Sequence, residues 1–255
     1  MGSPLREQRL QALRDTIAEI ERKPALRETR ENLSLESDTF PVFPGGLLQE
    51  VFTDQPRNSG AVLGFALAQA RRMLSARRVG IVYLQLIQEA QELGLPYGPA
   101  LGSFGLAPHA VTLVRVENMV ELLWAAEQAL ACGAVAAVVA DVVKPTKLLD
   151  FTASRRLSLR AAAAGASIFL LRYGTGREAS AAHLRWRLMP ARSGRKPFDD
   201  RAPGSPRWQA ELERGALVKQ QASWLLEWSR NGFATVSSVN RSDDRSVSGA
   251  AVSRP

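Results

Sequence analysis

Residues 134–141 read Ala134-Val135-Ala136-Ala137-Val138-Val139-Ala140-Asp141, an unbroken apolar run closed by a carboxylate. A strand with one wet face alternates apolar and polar side chains, and a strand covered on both faces does not. The run therefore predicts an interior strand of a parallel sheet with helices on either side. Ser167 to Arg172 has the same character, and residues 150–164 between the two read as a covering helix stopped at Gly165.

The same alternation extends upstream. Pro44-Gly45-Gly46 is a turn, Leu47 to Phe52 a short strand, and residues 53–60 a loop. A helix runs from Ala61 to about Arg72, then a strand from Val79 to Leu84 after the Arg77–Gly80 turn. Residues 86–105 are helical in pieces, broken at Gly94 and Pro96, and Val111 to Val116 is a further strand. The next helix opens on Asn118 with Glu121 in a capping pattern, and Gly133 is placed at its left-handed C-terminal position. Downstream, His183 to Leu188 alternates as a half-exposed strand should, and 207–214 and 223–228 do likewise, which predicts an antiparallel extension of the sheet. Residues 190–206, rich in Pro, Gly and Arg, read as a loop.

At the other end, Leu10, Leu13, Ile17 and Ile20 recur at spacings of three and four, which predicts an amphipathic helix over 5–23 that stops at Pro24. A lone apolar stripe either packs on the main domain or docks on a partner chain. The expected organisation is a helix and linker over 1–40, an α/β core over 41–182, the strand extension over 183–234 and a disordered tail over 235–255.

Composition narrows the function classes. The chain has 255 residues, 45% of them hydrophobic, and a formal charge of +8. Residues 1–140 hold 13 Lys and Arg against 15 Asp and Glu, whereas residues 141–255 hold 20 against 10. A basic C-terminal half suits an acidic partner, nucleic acid or protein, and equally a solvated arginine-rich surface. There is no run of eighteen apolar residues, and the N-terminus lacks the apolar block of a secretory signal, so a cytoplasmic location is expected. The single cysteine, Cys132, excludes an internal disulfide and a cysteine-based metal cluster. His109 and His183 have no partner at ligand spacing, so no metal is expected.

In a doubly wound sheet, the loop after the first strand is where phosphate sits. A working loop reads G-x-x-x-x-G-K-[ST]: glycines let backbone N–H groups wrap the phosphates, the lysine neutralises them and the hydroxyl holds Mg²⁺. Here the stretch is Gln55-Pro56-Arg57-Asn58-Ser59-Gly60-Ala61-Val62. Gly60 alone matches. Gln55 replaces the first glycine, Ala61 the lysine and Val62 the hydroxyl residue. Asp141 stands where a magnesium-binding strand end would carry its acid, although many buried strands end in such an aspartate for structural reasons. No catalysis and no cofactor are expected. For DNA contact the candidates are Arg185, Trp186, Arg187, Arg192, Arg195 and Lys196, cations with an aromatic among them. The alternative is a solvated basic edge that discourages strand pairing. Arg155, Arg156 and Arg160 make a second candidate patch. Trp124 and Cys132 read as buried, and Trp224 and Trp228 as facing one side of their strand.

The order of elements from Phe43-Pro44-Gly45-Gly46-Leu47 to Asp141, and on through Gly165 to Arg172, resembles the RecA recombinase core. More closely, the chain resembles the ImuA family, RecA-like accessory proteins of bacterial mutagenesis cassettes. The stretches that carry this include Leu48-Gln49-Glu50-Val51, Tyr97-Gly98-Pro99-Ala100-Leu101-Gly102-Ser103-Phe104-Gly105-Leu106, Arg207-Trp208-Gln209-Ala210-Glu211-Leu212 and Trp224-Leu225-Leu226-Glu227-Trp228. The resemblance implies a non-catalytic role in SOS-induced, error-prone translesion synthesis. Implied partners are RecA, the polymerase-like subunit ImuB and an error-prone replicative-type polymerase. It also implies kinship with SulA, so a cell-division inhibitor and an ATP-dependent recombinase-like protein are the competing readings. The segments matching the DNA-binding loops of RecA are reduced to Val142–Leu149 and Tyr173–Ala182, and the catalytic glutamate has no match near Gln85.

Overall fold

A computed structural model describes residues 40–196, 198–215, 222–229 and 232–236. Its strands are β1 (Leu48–Thr53), β2 (Gly80–Leu86), β3 (Val111–Val116), β4 (Val135–Val142), β5 (Ser167–Tyr173), β6 (Leu184–Ala191), β7 (Arg195–Lys196), β8 (Asp199–Pro203), β9 (Arg207–Gly215), β10 (Ala222–Ser229) and β11 (Gly232–Thr235). Its helices are α1 (Ser59–Arg71), α2 (Ile87–Leu93), α3 (Gly98–Leu101), α4 (Met119–Ala131) and α5 (Phe151–Ala164). Nine strands form one mixed sheet in the order β11-β10-β9-β6-β1-β5-β4-β2-β3. From β3 to β6 neighbouring strands run parallel, and β9, β10 and β11 add antiparallel to β6. This is the mostly parallel α/β architecture that the apolar runs predict, and it is consistent with a RecA-like core.

The two cores have different chemistry. On one face α4 and α5 press Leu122, Ala126, Leu130, Leu157 and Ala161 onto Leu48, Val138, Ile168 and Leu170. On the other, α1 packs Val62, Phe65 and Ala66 onto Val51, Phe169 and a set of rings brought by the later strands. Trp186 lies 5.7 Å from Phe65 and 5.4 Å from Phe43, and Phe40 lies 5.0 Å from Phe233. Each of three tryptophans also fixes its indole N–H: Trp186 to the Gln49 side chain at 2.9 Å, Trp208 to the Ala61 carbonyl at 2.9 Å and Trp228 to the Ser103 carbonyl at 2.8 Å. A buried indole with its donor satisfied contributes its full apolar area without an orphaned polar group.

Local signals explain the joints. Asn118 Oδ1 accepts from the Glu121 N–H at 3.0 Å, and Glu121 reaches back to the Glu117 N–H at 3.0 Å, so the cap of α4 is present with its return bond displaced by one residue. Asp150 caps α5 through the Ala153 N–H at 2.7 Å, and Gly165 ends it in the left-handed region at φ 67°.

Several expectations are corrected. Gly133 is not left-handed; α4 stops at Cys132 in extended geometry, φ −75° and ψ 119°. Trp124 is 63% exposed and Cys132 is exposed, because α4 turns Met119, Leu122, Leu123, Ala126 and Leu130 inward. Strand β6 is no half-exposed edge but lies between β1 and β9, parallel to β1, so the antiparallel extension begins one strand later, at β9. The stretch 190–206 contains the β7–β8 ribbon, and β11 occupies Thr235, within the expected tail. Trp224 and Trp228 do face one side, against Trp186 and Phe233 respectively. The helix carrying Leu10, Leu13, Ile17 and Ile20, most of its linker and residues 237–255 lie outside the described residues. No helix among the described residues is long and apolar enough to cross a membrane.

Candidate functional site

The parallel strands end together at one edge of the sheet, where the first strand-to-helix loop meets the tip of β4. In this architecture that edge is the place for a ligand. Strand β1 ends at Thr53, a single 3₁₀ turn covers Pro56–Asn58, and α1 starts at Ser59. The Asn58 side chain donates to Thr53 Oγ1 at 3.1 Å and holds the turn closed. Gln55 and Gly60 are exposed, and Gly60 has nothing within 4 Å of where a Cβ would stand. Ala61 gives its carbonyl to the Trp208 indole, and Val62 is fully buried against the apolar core. The positions for a phosphate-facing cation and a magnesium-facing hydroxyl are thus fastened into the packing of α1.

The strand-end acid is also engaged. Asp141 is buried on β4 and accepts from Tyr83 of β2 and, at 2.7 Å, from Tyr173 of β5. Gln85 Nε2 approaches it at 3.4 Å and also donates to the Gly94 carbonyl at 3.1 Å. Burial pushes the Asp141 carboxyl above its usual range, and the three donors oppose that shift. Both tyrosine hydroxyls are pushed up, first by burial and then by the adjacent Asp141 charge, so they remain donors. Beside them Glu89 of α2 is buried and accepts from the Val143 N–H at 3.3 Å; burial pushes its carboxyl up as well. Sequence reasoning missed Tyr83 and Tyr173. The available signal was a tyrosine in each strand that flanks the aspartate strand, at the centre of β2 and at the end of β5. Among the described residues no group of three or more His, Cys, Asp and Glu side chains is placed to hold a metal ion.

The expected DNA-contact residues divide. Arg185 is buried and places its guanidinium on Glu50 at 2.7 Å, with Ser180 Oγ donating to the same carboxylate at 2.8 Å. Trp186 is fully buried on the opposite face. Arg187 binds Asp54 at 2.6 Å and stands 3.7 Å from Glu211. Arg172 stands 3.6 Å from Glu50 and also pairs with Glu178, while Arg177 lies 4.0 Å from the centre of the Phe52 ring. Arg185, Trp186 and Arg187 therefore do not form a surface for stacking and phosphate contact. The two arginines belong to an ion-paired layer beside residues 174–183, the chain that crosses from β5 to β6, and Trp186 belongs to the apolar core on the other face. Arg192, Arg195 and Lys196 lie apart, in and beside the β7–β8 ribbon, and Arg192 and Lys196 are exposed. In the second patch Arg156 and Arg160 converge on Glu127 of α4, the latter at 3.0 Å, which offsets part of its charge. His183 is structural: its Nδ1 accepts from the Leu48 N–H at 2.9 Å while its own backbone N–H donates to the Leu48 carbonyl at 2.8 Å.

No protein-family model matches the chain. Two curated proteins do, each named Protein ImuA, from Caulobacter vibrioides strains NA1000 / CB15N and ATCC 19089 / CIP 103742 / CB 15. Each is 34% identical over 179 residues, which is 66% of this chain and 69% of the relative. At that identity and coverage, the chain belongs to the ImuA family.

Proposed function

We propose that this chain is a non-catalytic, cytoplasmic RecA-like adaptor in SOS-induced, error-prone translesion DNA synthesis that binds RecA, the polymerase-like subunit ImuB, or both. One observation carries the non-catalytic half of the reading: Asp141 has its oxygens taken by Tyr83, Tyr173 and Gln85. A magnesium-binding strand end needs that carboxylate free to face the metal, and a phosphate loop needs the cation that Ala61 lacks. Val62, buried in the same cluster as Phe65, adds that a hydroxyl there would point into apolar packing. The residues present do not fit a magnesium-bound nucleotide. Membership of the ImuA family supports the mutagenesis context.

Calorimetry with ATP and Mg²⁺ on the full chain tests this reading, with an Ala61→Lys, Val62→Thr double variant beside it. The expected result is no binding heat for either protein, since restoring two loop residues leaves Asp141 occupied by the tyrosines. Micromolar binding by the natural protein would overturn the non-catalytic reading. The adaptor half is tested by gel filtration with purified RecA and with ImuB, and co-elution with neither overturns it.

A further inference from the structure

Most basic side chains of the C-terminal half that the structure describes are tied to acids: Arg172, Arg177, Arg185, Arg187 and Arg207 all lie in ion pairs on the sheet. The β7–β8 ribbon presents its cations to solvent. Lys196 and Arg201 are exposed on it, and Arg192 is exposed just before its neck. At its turn Phe198 is 101% exposed, the most exposed large hydrophobic side chain among the described residues. The turn holds itself, because Asp199 Oδ1 accepts from the Arg201 N–H at 3.0 Å and the Ala202 N–H at 3.2 Å, which engages that acid within the ribbon. At the neck two glycines meet: a Cβ on Gly204 would overlap the Gly194 carbonyl. The ribbon is thus a narrow finger, attached through backbone contact, that carries cations along its length and one bare ring at its end.

A protein-docking patch needs contiguous apolar area, and the exposed side chains nearest Phe198 along the ribbon, Lys196, Asp199 and Arg201, are charged. A bare ring with Lys196 on one strand and Arg201 on the other, and with the intervening Asp199 engaged by backbone N–H groups, suits a base stacked on it with phosphates against the two cations, and a base is free to stack when it is not already within a duplex. We infer that the β7–β8 ribbon is a contact site for single-stranded nucleic acid, with Phe198 as the stacking platform and Arg192, Lys196 and Arg201 as phosphate contacts. The adaptor reading is not a premise of this inference, since a nucleotide-binding chain could carry the same finger.

The test is fluorescence anisotropy of the full chain with labelled 20-residue oligothymidylate and, in parallel, oligouridylate. Phe198→Ala is expected to bind about 5- to 100-fold more weakly, the worth of one stacked base, and Phe198→Trp to bind as well as the natural protein. The Arg192→Ser, Lys196→Ser, Arg201→Ser triple variant should flatten the slope of log K against log salt by about 2. A ring so exposed supports no packing, so the melting temperature of Phe198→Ala should match that of the natural protein. Loss of affinity with Phe198→Ala on either probe supports the site. Equal binding by the natural protein and Phe198→Ala on both probes overturns it, as does no binding by the natural protein. Polyglutamate competing as well as the oligonucleotides, with Phe198→Ala unimpaired, also overturns it and assigns the finger to an acidic protein.

Discussion

Glu50 sits in the middle of β1 with Ser180, Arg185 and Arg172 around its carboxylate, all of them buried. Removing one partner of such a group leaves the others charged in a place water does not reach, which costs about 3–5 kcal/mol. Glu50→Gln should therefore lower stability by about 3 kcal/mol in urea unfolding. Adding Arg185→Met should recover part of that loss, because the unpaired cation leaves with it. A double variant no more stable than Glu50→Gln would mean that Arg172 alone sets the cost. Glu89 gives a different signature. Its folded carboxyl titrates above the ordinary 4.5, mainly through burial. The folded state thus holds its proton more tightly than the unfolded chain, so the contribution is full below about pH 4.5 and is lost as pH rises through the folded value. Glu89→Gln keeps an acceptor for the Val143 N–H without the buried charge. Its stability relative to the natural protein should rise between about pH 4 and pH 8, and a flat difference across that range would show that Glu89 is not perturbed.

At the scale of elements, two glycines separate a close backbone contact from an open position. A Cβ on Gly45 would stand 2.6 Å from the Gly165 carbonyl oxygen, where the turn into β1 packs on the end of α5. Gly45→Ala must push two backbones apart and should cost about 1–3 kcal/mol. Gly60, the one residue that matches the phosphate-loop pattern, has open space around it and lies within α1. Gly60→Ala should stabilise by about 0.4–1 kcal/mol, since the chain loses backbone freedom only in the unfolded state. Denaturant midpoints for the pair check both signs. The elements themselves were legible wherever burial tracks apolar character: β4, β5 and the capped start of α4 fall where their sequences place them. Helix α4 was harder to orient because Met119-Val120-Glu121-Leu122-Leu123-Trp124-Ala125-Ala126 is apolar nearly all round. Period alone does not say which stripe faces in, and Trp124 faces out. The β7–β8 ribbon was hidden by its Pro, Gly and Arg content, which reads as loop because a two-residue strand has no periodicity to show.

For the whole molecule, the misplacement of β6 has a single physical cause. Leu184-Arg185-Trp186-Arg187-Leu188 alternates faithfully, and its arginines do share one face. On that face Arg185 is buried against Glu50 of β1 and residues 178–180, and the half-exposed Arg187 pairs with Asp54 and Glu211, and hydropathy cannot distinguish a solvated arginine from one paired in the interior. The same ambiguity hid the candidate site, since an aspartate at a strand end looks alike whether it faces a metal or two tyrosines. It also bears on the expected boundary at residue 182. Strand β6 borders β1, and Trp186 and Trp208 fill the face against Phe65, so the parallel core is incomplete without strands β6 and β9. A fragment of residues 40–182 would expose one side of β1 and leave Glu50 without Arg185, and it should show no cooperative thermal transition. A fragment of residues 40–236 should melt in one transition, as a sheet with continuous packing from β3 to β11 requires. If the shorter fragment melts cooperatively, the strands from β6 to β11 are an appendage. Their tryptophans would then decorate a core that stands without them.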